Sequence, residues 1–154
     1  MDVVVSLKEI VDAIDLPNDA WVSYLNPHTG EIVTVTDEDR QLAEDEDVDE
    51  ERLPEWERES LHIARAVLAS GDCLALPSKF EIHEWAIMER FSNSLAHQDQ
   101  RDELLDAIHG AGAFRSFRST IRRLGIEDEW FTFRRSAFEE VAKDWLEAHE
   151  IPYL

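Results

Sequence analysis

Apolar residues recur at helical spacing in the first element of the chain. Ser6 and Glu9 form a capping box, in which each side chain satisfies an amide at the start of a helix. Apolar residues then follow three and four positions apart as far as Ile14. The pattern predicts a helix over about residues 7–14, preceded by a short strand.

The two runs that come next have the composition typical of β-strands. The runs WVSYL (21–25) and IVTVT (32–36) are rich in β-branched and aromatic residues, and they flank the turn-forming sequence NPHTG. This arrangement predicts a β-hairpin. A short apolar run at 73–76, bounded by Gly71 and Pro77, is interpreted as a further strand.

An acidic stretch follows the hairpin. Residues 37–51 read DEDRQLAEDEDVDEE, with ten acidic side chains and no apolar period. Such a composition predicts a solvated, mobile loop or a loose helix start. We name residues 37–53 the acidic segment.

The alternate aspartates of the acidic segment resemble the start of an EF-hand loop. The spacing of Asp45, Asp47 and Asp49 fits, but Glu50 stands where a glycine is required. Trp56 stands where a bidentate glutamate is required. The segment is therefore not predicted to be a calcium site.

Helical spacing dominates the rest of the chain. The first predicted helix covers about 54–70, and its apolar positions are Trp56, Ile63, Val67 and Leu68. Three more helices are predicted over 79–95, from Asp99 to before Gly110, and over 113–124. Residues 130–133, WFTF, are interpreted as a strand, and a capping box at Ser136 and Glu139 predicts the start of a final helix. These elements predict a helix-dominated α+β fold, a single domain over residues 1–154 with an N-terminal hairpin and short additional strands.

Composition narrows the function classes. The 154 residues include 35 Asp and Glu against 15 Lys and Arg, a formal charge of -20. Such a surface repels nucleic acid and anionic membranes and attracts basic partners, although solubility alone is the simpler explanation. The single cysteine excludes an intramolecular disulfide, and no leader or membrane-spanning run is recognised, so we expect a cytoplasmic protein.

The basic residues are concentrated in the predicted helix over 113–124. Arg115, Arg118 and Arg122, which we name the arginine strip, share one face. The strip either binds phosphates or carboxylates of a partner, or pairs with carboxylates of the chain such as Glu127, which is the simpler alternative. The adjoining face is expected to enter the core: Phe114, Phe117, Ile121 and Leu124.

Two glycines precede this helix. Gly110 and Gly112 leave room for backbone amides at the helix start to meet an anion. They do not form a dinucleotide fingerprint, because Arg115 stands in place of the third glycine and a helix, not a strand, precedes them.

His83 and Glu84 form a second candidate site. The pair begins like a helical zinc motif, but Ile87 stands where the second histidine is needed, so no metal or other cofactor is predicted. Glu84 falls between apolar positions on the helix and is expected to be partly buried. We expect an arginine of the arginine strip to be its partner.

Three motifs carry a resemblance to a known family. They are LPxxFxIHEWxIM (76–88), GxGAFRxFR (110–118) and WFxF (130–133). With them the chain resembles a family of small acidic bacterial proteins catalogued only as uncharacterised, which implies no activity, cofactor or catalytic residue. Ala111 and Ser116 stand where the family carries basic residues, and Trp85 where tyrosine is usual, which implies a weaker anion site.

Two functional hypotheses follow. The first is a noncatalytic interaction or regulatory protein whose arginine strip and acidic segment recognise another protein. The alternative is an enzyme or binding domain for a phosphorylated small molecule, in which His83 and Glu84 converge with Arg115 and Arg118. Nucleic acid ranks third because one arginine strip would have to overcome the field of the whole chain. The sequence leaves the oligomeric state open.

Overall fold

The computed structural model describes residues 3–15 and 21–154, without the side chains of residues 79 and 80. The fold is helix-dominated α+β, which confirms the predicted fold class. The helices are α1 (Leu7–Ile14), α2 (Asp37–Glu44), α3 (Glu55–Ala69), α4 (Lys79–Ile82), α5 (Glu84–Ser94), α6 (Gln98–Ile108), α7 (Ala113–Leu124) and α8 (Glu127–Ala148), with a short 3-10 helix at Glu50–Arg52. The strands are β1 (Trp21–Leu25), β2 (Ile32–Thr36) and β3 (Leu74–Ala75).

The chain divides into two compact units. Unit 1 comprises Met1–Ser78 and Ala142–Leu154, and unit 2 comprises Lys79–Val141. The boundary falls inside α8. The single domain predicted for residues 1–154 stays a prediction. None of the helices in the described part of the chain combines the length and the hydropathy needed to cross a bilayer.

The sheet of unit 1 is built on the predicted hairpin. β1 pairs antiparallel with β2, and its other edge pairs antiparallel with β3, giving the order β2-β1-β3. The turn is closed by the Asn26 amide, which donates to the Glu31 carbonyl oxygen over 2.9 Å. Gly30 takes a positive φ of 77° there, a conformation that costs glycine little.

Helix α1 packs its apolar face into unit 1. Of the predicted capping box the structure shows the contribution of Ser6, whose hydroxyl accepts a hydrogen bond from the Glu9 amide over 3.4 Å. The buried Ser23 hydroxyl of β1 lies within hydrogen-bond distance of the Ala13 carbonyl oxygen, at 3.3 Å, and of the Thr34 hydroxyl, at 2.9 Å. The helix and both hairpin strands therefore share one polar contact inside unit 1. The strand predicted before α1 is reduced to an isolated parallel bridge between Val5 and Tyr153.

The first part of the acidic segment is helical, so of the two structures predicted for it, a mobile loop or a helix start, the helix start is found there. This part forms α2, because the Thr36 hydroxyl caps the Asp39 amide over 3.1 Å and three acidic residues occupy the first turn. Negative charge is favourable at the amino end of a helix. Ala43 of α2 also packs against a buried cluster that includes Val35 and Ala64. This packing gives a strongly acidic sequence an apolar contact that its composition does not reveal.

Unit 2 is centred on an aromatic cluster. Phe91 of α5 packs edge-on against Phe117 of α7, with ring centroids 6.3 Å apart, and against Trp130 of α8, at 5.3 Å. Phe117 and Trp130 are themselves 4.7 Å apart, and Phe133 closes the cluster at 5.4 Å from Phe91. Aromatic rings therefore join α5 to α7 and α8.

Residues 130–133 are helical, so the strand predicted there is wrong. Aromatic runs favour strands in isolation, but Trp130, Phe133 and Ala137 lie at helical spacing, and Trp130 and Ala137 are buried. α8 is continuous through Ser136, which is exposed within the helix. The capping box predicted at Ser136 therefore does not begin a helix.

The helix predicted over 79–95 is divided at His83. This residue has a left-handed backbone, with φ of 57°, and separates α4 from α5. Its carbonyl oxygen accepts from the amides of Ala86 and Ile87 at 2.9 and 3.3 Å, so α5 begins from that turn.

Candidate functional site: the exposed face of α7

Glycines fix both ends of α7. Gly112 and Gly125 each take a left-handed backbone with φ of 70°, and the helix between them has the predicted bounds. Phe117, Thr120 and Ile121 are buried and set the face that packs into unit 2. The opposite face is therefore presented to solvent.

The arginine strip lies on that solvent face, and its three members differ in their contacts. Arg122 pairs with Glu127, with Nε 3.5 Å from Oε1. Its neighbour Arg123, outside the strip, pairs with Glu103 of α6. These two arginines behave as the simpler alternative predicted, by neutralising carboxylates of the chain itself.

Arg115 and Arg118 differ from Arg122 and Arg123 in their contacts. Both are exposed, and among the described residues neither forms an ion pair or a side-chain hydrogen bond. The chain carries 35 carboxylate side chains. Arg115 and Arg118 nevertheless lie where none of the described carboxylates pairs with them. These two guanidinium groups keep their hydrogen-bond donors available to an external anion.

Phe114 is exposed next to these arginines, so its predicted place in the core is wrong. Its side chain is 53% exposed, whereas Phe117 is 1% exposed. On a helix, Phe114 lies about 60° from Phe117 and about 40° from Arg118, at the border between the two faces. Phe114, Arg115 and Arg118 together form what we name the α7 surface.

The amino end of α7 is open. A Cβ added at Gly110 or Gly112 would meet no atom within 4 Å. The first turn of the helix has no acidic residue, and no side chain caps it. The geometry leaves the space that the sequence analysis expected, and an anion at this helix end stays a prediction.

Trp85 holds the segment that leads into this end. Its indole N–H donates to the Ile108 carbonyl oxygen over 2.9 Å, and its ring packs edge-on against His109 at 5.7 Å. The start of α5 is thereby fixed to the end of α6, immediately before Gly110. Sequence reasoning marked Trp85 only as a departure from the family pattern and did not anticipate this anchoring.

Glu84 does not contact the arginine strip, contrary to expectation. Its Oε1 accepts a hydrogen bond from Nε of Arg134 over 2.6 Å. The Glu84 side chain is 23% exposed, which agrees with the partial burial predicted for it, and that of Arg134 is 18% exposed. Arg134 also lies over the ring of Phe138 at 4.2 Å. Glu84 is held by a structural partner, while the side chain of His83 is exposed.

Arg134 is the site residue that sequence reasoning missed. The available signal was its spacing of four residues from Phe138, which on a helix stacks the two side chains. That signal was hidden because residues 130–133 were interpreted as a strand.

No metal site is found in the described part of the chain. Within residues 3–15 and 21–154, no group of three or more His, Cys, Asp and Glu side chains could hold an ion. In the acidic segment, the Asp45 carboxylate instead accepts from the Asp47 amide over 2.9 Å.

Charge is distributed very unequally between the two units. By sequence, unit 1 contains 23 acidic and six basic side chains, and unit 2 contains 12 and nine, giving formal charges of -17 and -3. The arginine strip thus belongs to the nearly neutral unit.

Comparison with protein-family models, with curated proteins and with solved structures finds no match. The resemblance to uncharacterised acidic bacterial proteins therefore stays a prediction.

Proposed function

We propose that the protein is a noncatalytic interaction protein whose α7 surface binds an acidic segment of another protein. The observation that carries the proposal is that Arg115 and Arg118 remain unpaired among the described residues, whereas Arg122 and Arg123 are paired. The acidic segment of this chain, residues 37–53, serves as a second recognition surface in this proposal. A reducing, cytoplasmic setting fits the free thiol of Cys73.

The chemistry of the α7 surface supports this function. A guanidinium group presents a planar fork of donors that matches a carboxylate in two parallel hydrogen bonds. Phe114 adds an exposed ring beside the two guanidinium groups. Arginine and aromatic side chains are enriched at protein interfaces, where an aromatic anchor fills a pocket of the partner.

The test compares two double variants of the same helix. Arg115→Ala/Arg118→Ala removes the unpaired arginines, and Arg122→Ala/Arg123→Ala removes the paired ones with the same change in charge. Each is used for affinity capture from a lysate of the source organism at low and moderate salt, with mass spectrometry of the retained proteins. We expect the first variant to lose a partner that the wild type and the second variant retain, and that partner to weaken with salt.

Two outcomes would overturn the proposal. In one, all three proteins capture the same set, so the unpaired arginines recognise nothing. In the other, the wild type captures no protein at either salt concentration.

A phosphorylated small molecule is the second candidate ligand, supported by the open amino end of α7 with Arg115 in its first turn. It receives no support from Glu84, whose carboxylate is bound by Arg134. Calorimetric titration of the wild type and of Arg115→Ala with inorganic phosphate and pyrophosphate tests this candidate. Heat of binding that disappears in the variant would favour it over a protein partner.

A further inference from the structure

Helix α3 of unit 1 carries an apolar surface that the fold does not use. Trp56 is 68% exposed and Ile63 is 52% exposed, although the sequence pattern placed both among the apolar positions of this helix. The residues that α3 buries are others: Leu61, Ala64 and Val67. Among the described residues, Trp56 is the most exposed aromatic side chain.

The two residues lie on one side of the helix. A separation of seven residues corresponds to two turns, so the Cα atoms of Trp56 and Ile63 are about 10 Å apart along the axis. Glu59 stands between them, three residues after Trp56 and four before Ile63, and is exposed. The row of Trp56, Glu59 and Ile63, which we name the α3 surface, alternates apolar and acidic groups.

Two carboxylates close to Trp56 are available to form ion pairs with a partner. Glu55 and Glu59 are exposed and form no ion pair with any residue that the structure describes. Residues 37–59 contain 13 acidic and three basic side chains. The sequence that leads into and begins α3 is therefore strongly acidic.

We propose that the α3 surface binds a Lys/Arg-rich amphipathic segment of another protein. Charge complementarity selects this occupant, because the -17 of unit 1 repels acidic proteins, nucleic acids and anionic membranes. The apolar side chains of the segment cover Trp56 and Ile63, and its cations pair with Glu55 and Glu59. A guanidinium or ammonium group over the Trp56 ring adds a cation–π contact.

The α3 surface belongs to unit 1 and the α7 surface to unit 2, and the α3 surface attracts a basic partner whereas the α7 surface attracts an acidic one. The inference goes beyond the proposed function and does not depend on it. Arg115→Ala/Arg118→Ala, which tests the proposed function, leaves binding at α3 unchanged.

The test uses a fluorescein-labelled synthetic peptide of 14 residues, with lysine and leucine at helical spacing, as the probe. Its dissociation constant is measured by fluorescence anisotropy with wild type and with Trp56→Ala. We expect Trp56→Ala to weaken binding about tenfold or more, since a buried aromatic anchor contributes strongly to an interface. Trp21→Ala, at an exposed tryptophan of the same unit, is the matched control and changes binding less than about twofold.

Charge is tested by a matched pair of double variants. Glu55→Gln/Glu59→Gln removes one carboxylate of the α3 surface and one beside it, and Glu9→Gln/Glu31→Gln removes two exposed carboxylates elsewhere in unit 1. We expect the first to weaken peptide binding and the second to change it little. Equal losses in both would show delocalised attraction and overturn the proposal, as would unchanged binding by Trp56→Ala.

Sedimentation equilibrium of the unlabelled protein tests a different occupant. A monomer at the concentrations of the binding assay supports the proposal. A dimer that dissociates on the Trp56→Ala substitution would identify a second copy of the chain on the α3 surface and overturn it.

Discussion

Arg134 of α8 and Glu84, the first residue of α5, are joined by a hydrogen bond of 2.6 Å between Nε and Oε1. The two side chains are 18% and 23% exposed, and the Arg134 guanidinium also covers the Phe138 ring. A carboxylate at the first position of a helix also interacts favourably with the helix dipole. Together with the hydrogen bond of Trp85 to Ile108, this contact fixes the start of α5 within unit 2.

Breaking the pair of Glu84 and Arg134 should lower the free energy of unfolding more than breaking an exposed ion pair within α8. Removing one partner leaves the other partly buried without its counter-charge, so Glu84→Gln and Arg134→Met should each cost about 1–3 kcal/mol. A double-mutant cycle measured by urea unfolding should give a coupling of about 1 kcal/mol or more. The exposed pair Arg135 and Glu139, 3.8 Å apart on α8, is the control and should couple by less than about 0.5 kcal/mol. Equal couplings for the two pairs would contradict a structural role for Glu84.

The two phenylalanines in the first half of α7 should contribute very differently to the free energy of unfolding. Phe117 is 1% exposed in the aromatic cluster, so Phe117→Ala should lower the free energy of unfolding by about 3–5 kcal/mol. Phe114 is 53% exposed, so Phe114→Ala should change it by less than about 0.5 kcal/mol. Chemical unfolding checks both values. A large loss for Phe114→Ala would assign that ring to the fold and remove it from the α7 surface.

Gly110 and Gly112, which precede α7, should respond differently to substitution by alanine. Gly112 has φ of 70°, a left-handed conformation in which a Cβ is strained, so Gly112→Ala should cost about 1 kcal/mol. Gly110 has no such φ and open space at its Cβ position, so Gly110→Ala should be neutral or stabilising by about 0.4–1 kcal/mol. Thermal unfolding monitored by circular dichroism compares the two. Equal losses would mean that the loop, and not the backbone conformation at Gly112, sets the start of α7.

Tyr153 should titrate at a higher pH than an ordinary tyrosine. Its hydroxyl donates to Glu147 over 2.9 Å, and this hydrogen bond, with smaller contributions from burial and from the charges of Glu147 and Asp144, raises the pKa of Tyr153 above 10.0. The fold thus favours the neutral phenol. The resulting stabilisation is complete below the pKa of the unfolded chain and is lost as the pH rises through the higher pKa of the folded state.

Absorbance of tyrosinate at high pH measures this shift, and Tyr153→Phe identifies its component of the titration. Glu147→Gln should move that component to lower pH. Asp144→Asn, which removes the weakest of these contributions, should move it less. An unchanged midpoint in Glu147→Gln would exclude the hydrogen bond as the cause.

Local signals predicted the elements that local interactions determine. The capping box at Ser6 fixed α1, and Gly112 and Gly125 fixed α7, because caps and left-handed glycines act within a few residues. For the acidic segment the sequence left a loop and a helix start open, because its helix depends on the Thr36 cap and on the packing of Ala43 against the buried cluster that includes Ala64.

Long-range contacts account for the errors. Trp130 and Phe133 favour a strand by propensity, and only their packing against Phe91 and Phe117 selects the helix. Glu84 and Arg134 are separated by 50 residues, so composition indicated that Glu84 needed a partner without identifying it. The exposure of Arg115 was predictable from the helical period, whereas its lack of an ion pair required the structure.

The unequal charge of the two units implies an unequal counterion atmosphere. Most cations that condense on the protein gather around unit 1, which has 17 of the 20 net negative charges. Polyamines and divalent cations therefore screen self-repulsion mainly in that unit, while anions of the buffer compete for Arg115 and Arg118 in the other. Changing the cation of a salt and changing its anion thus act on different parts of the same molecule.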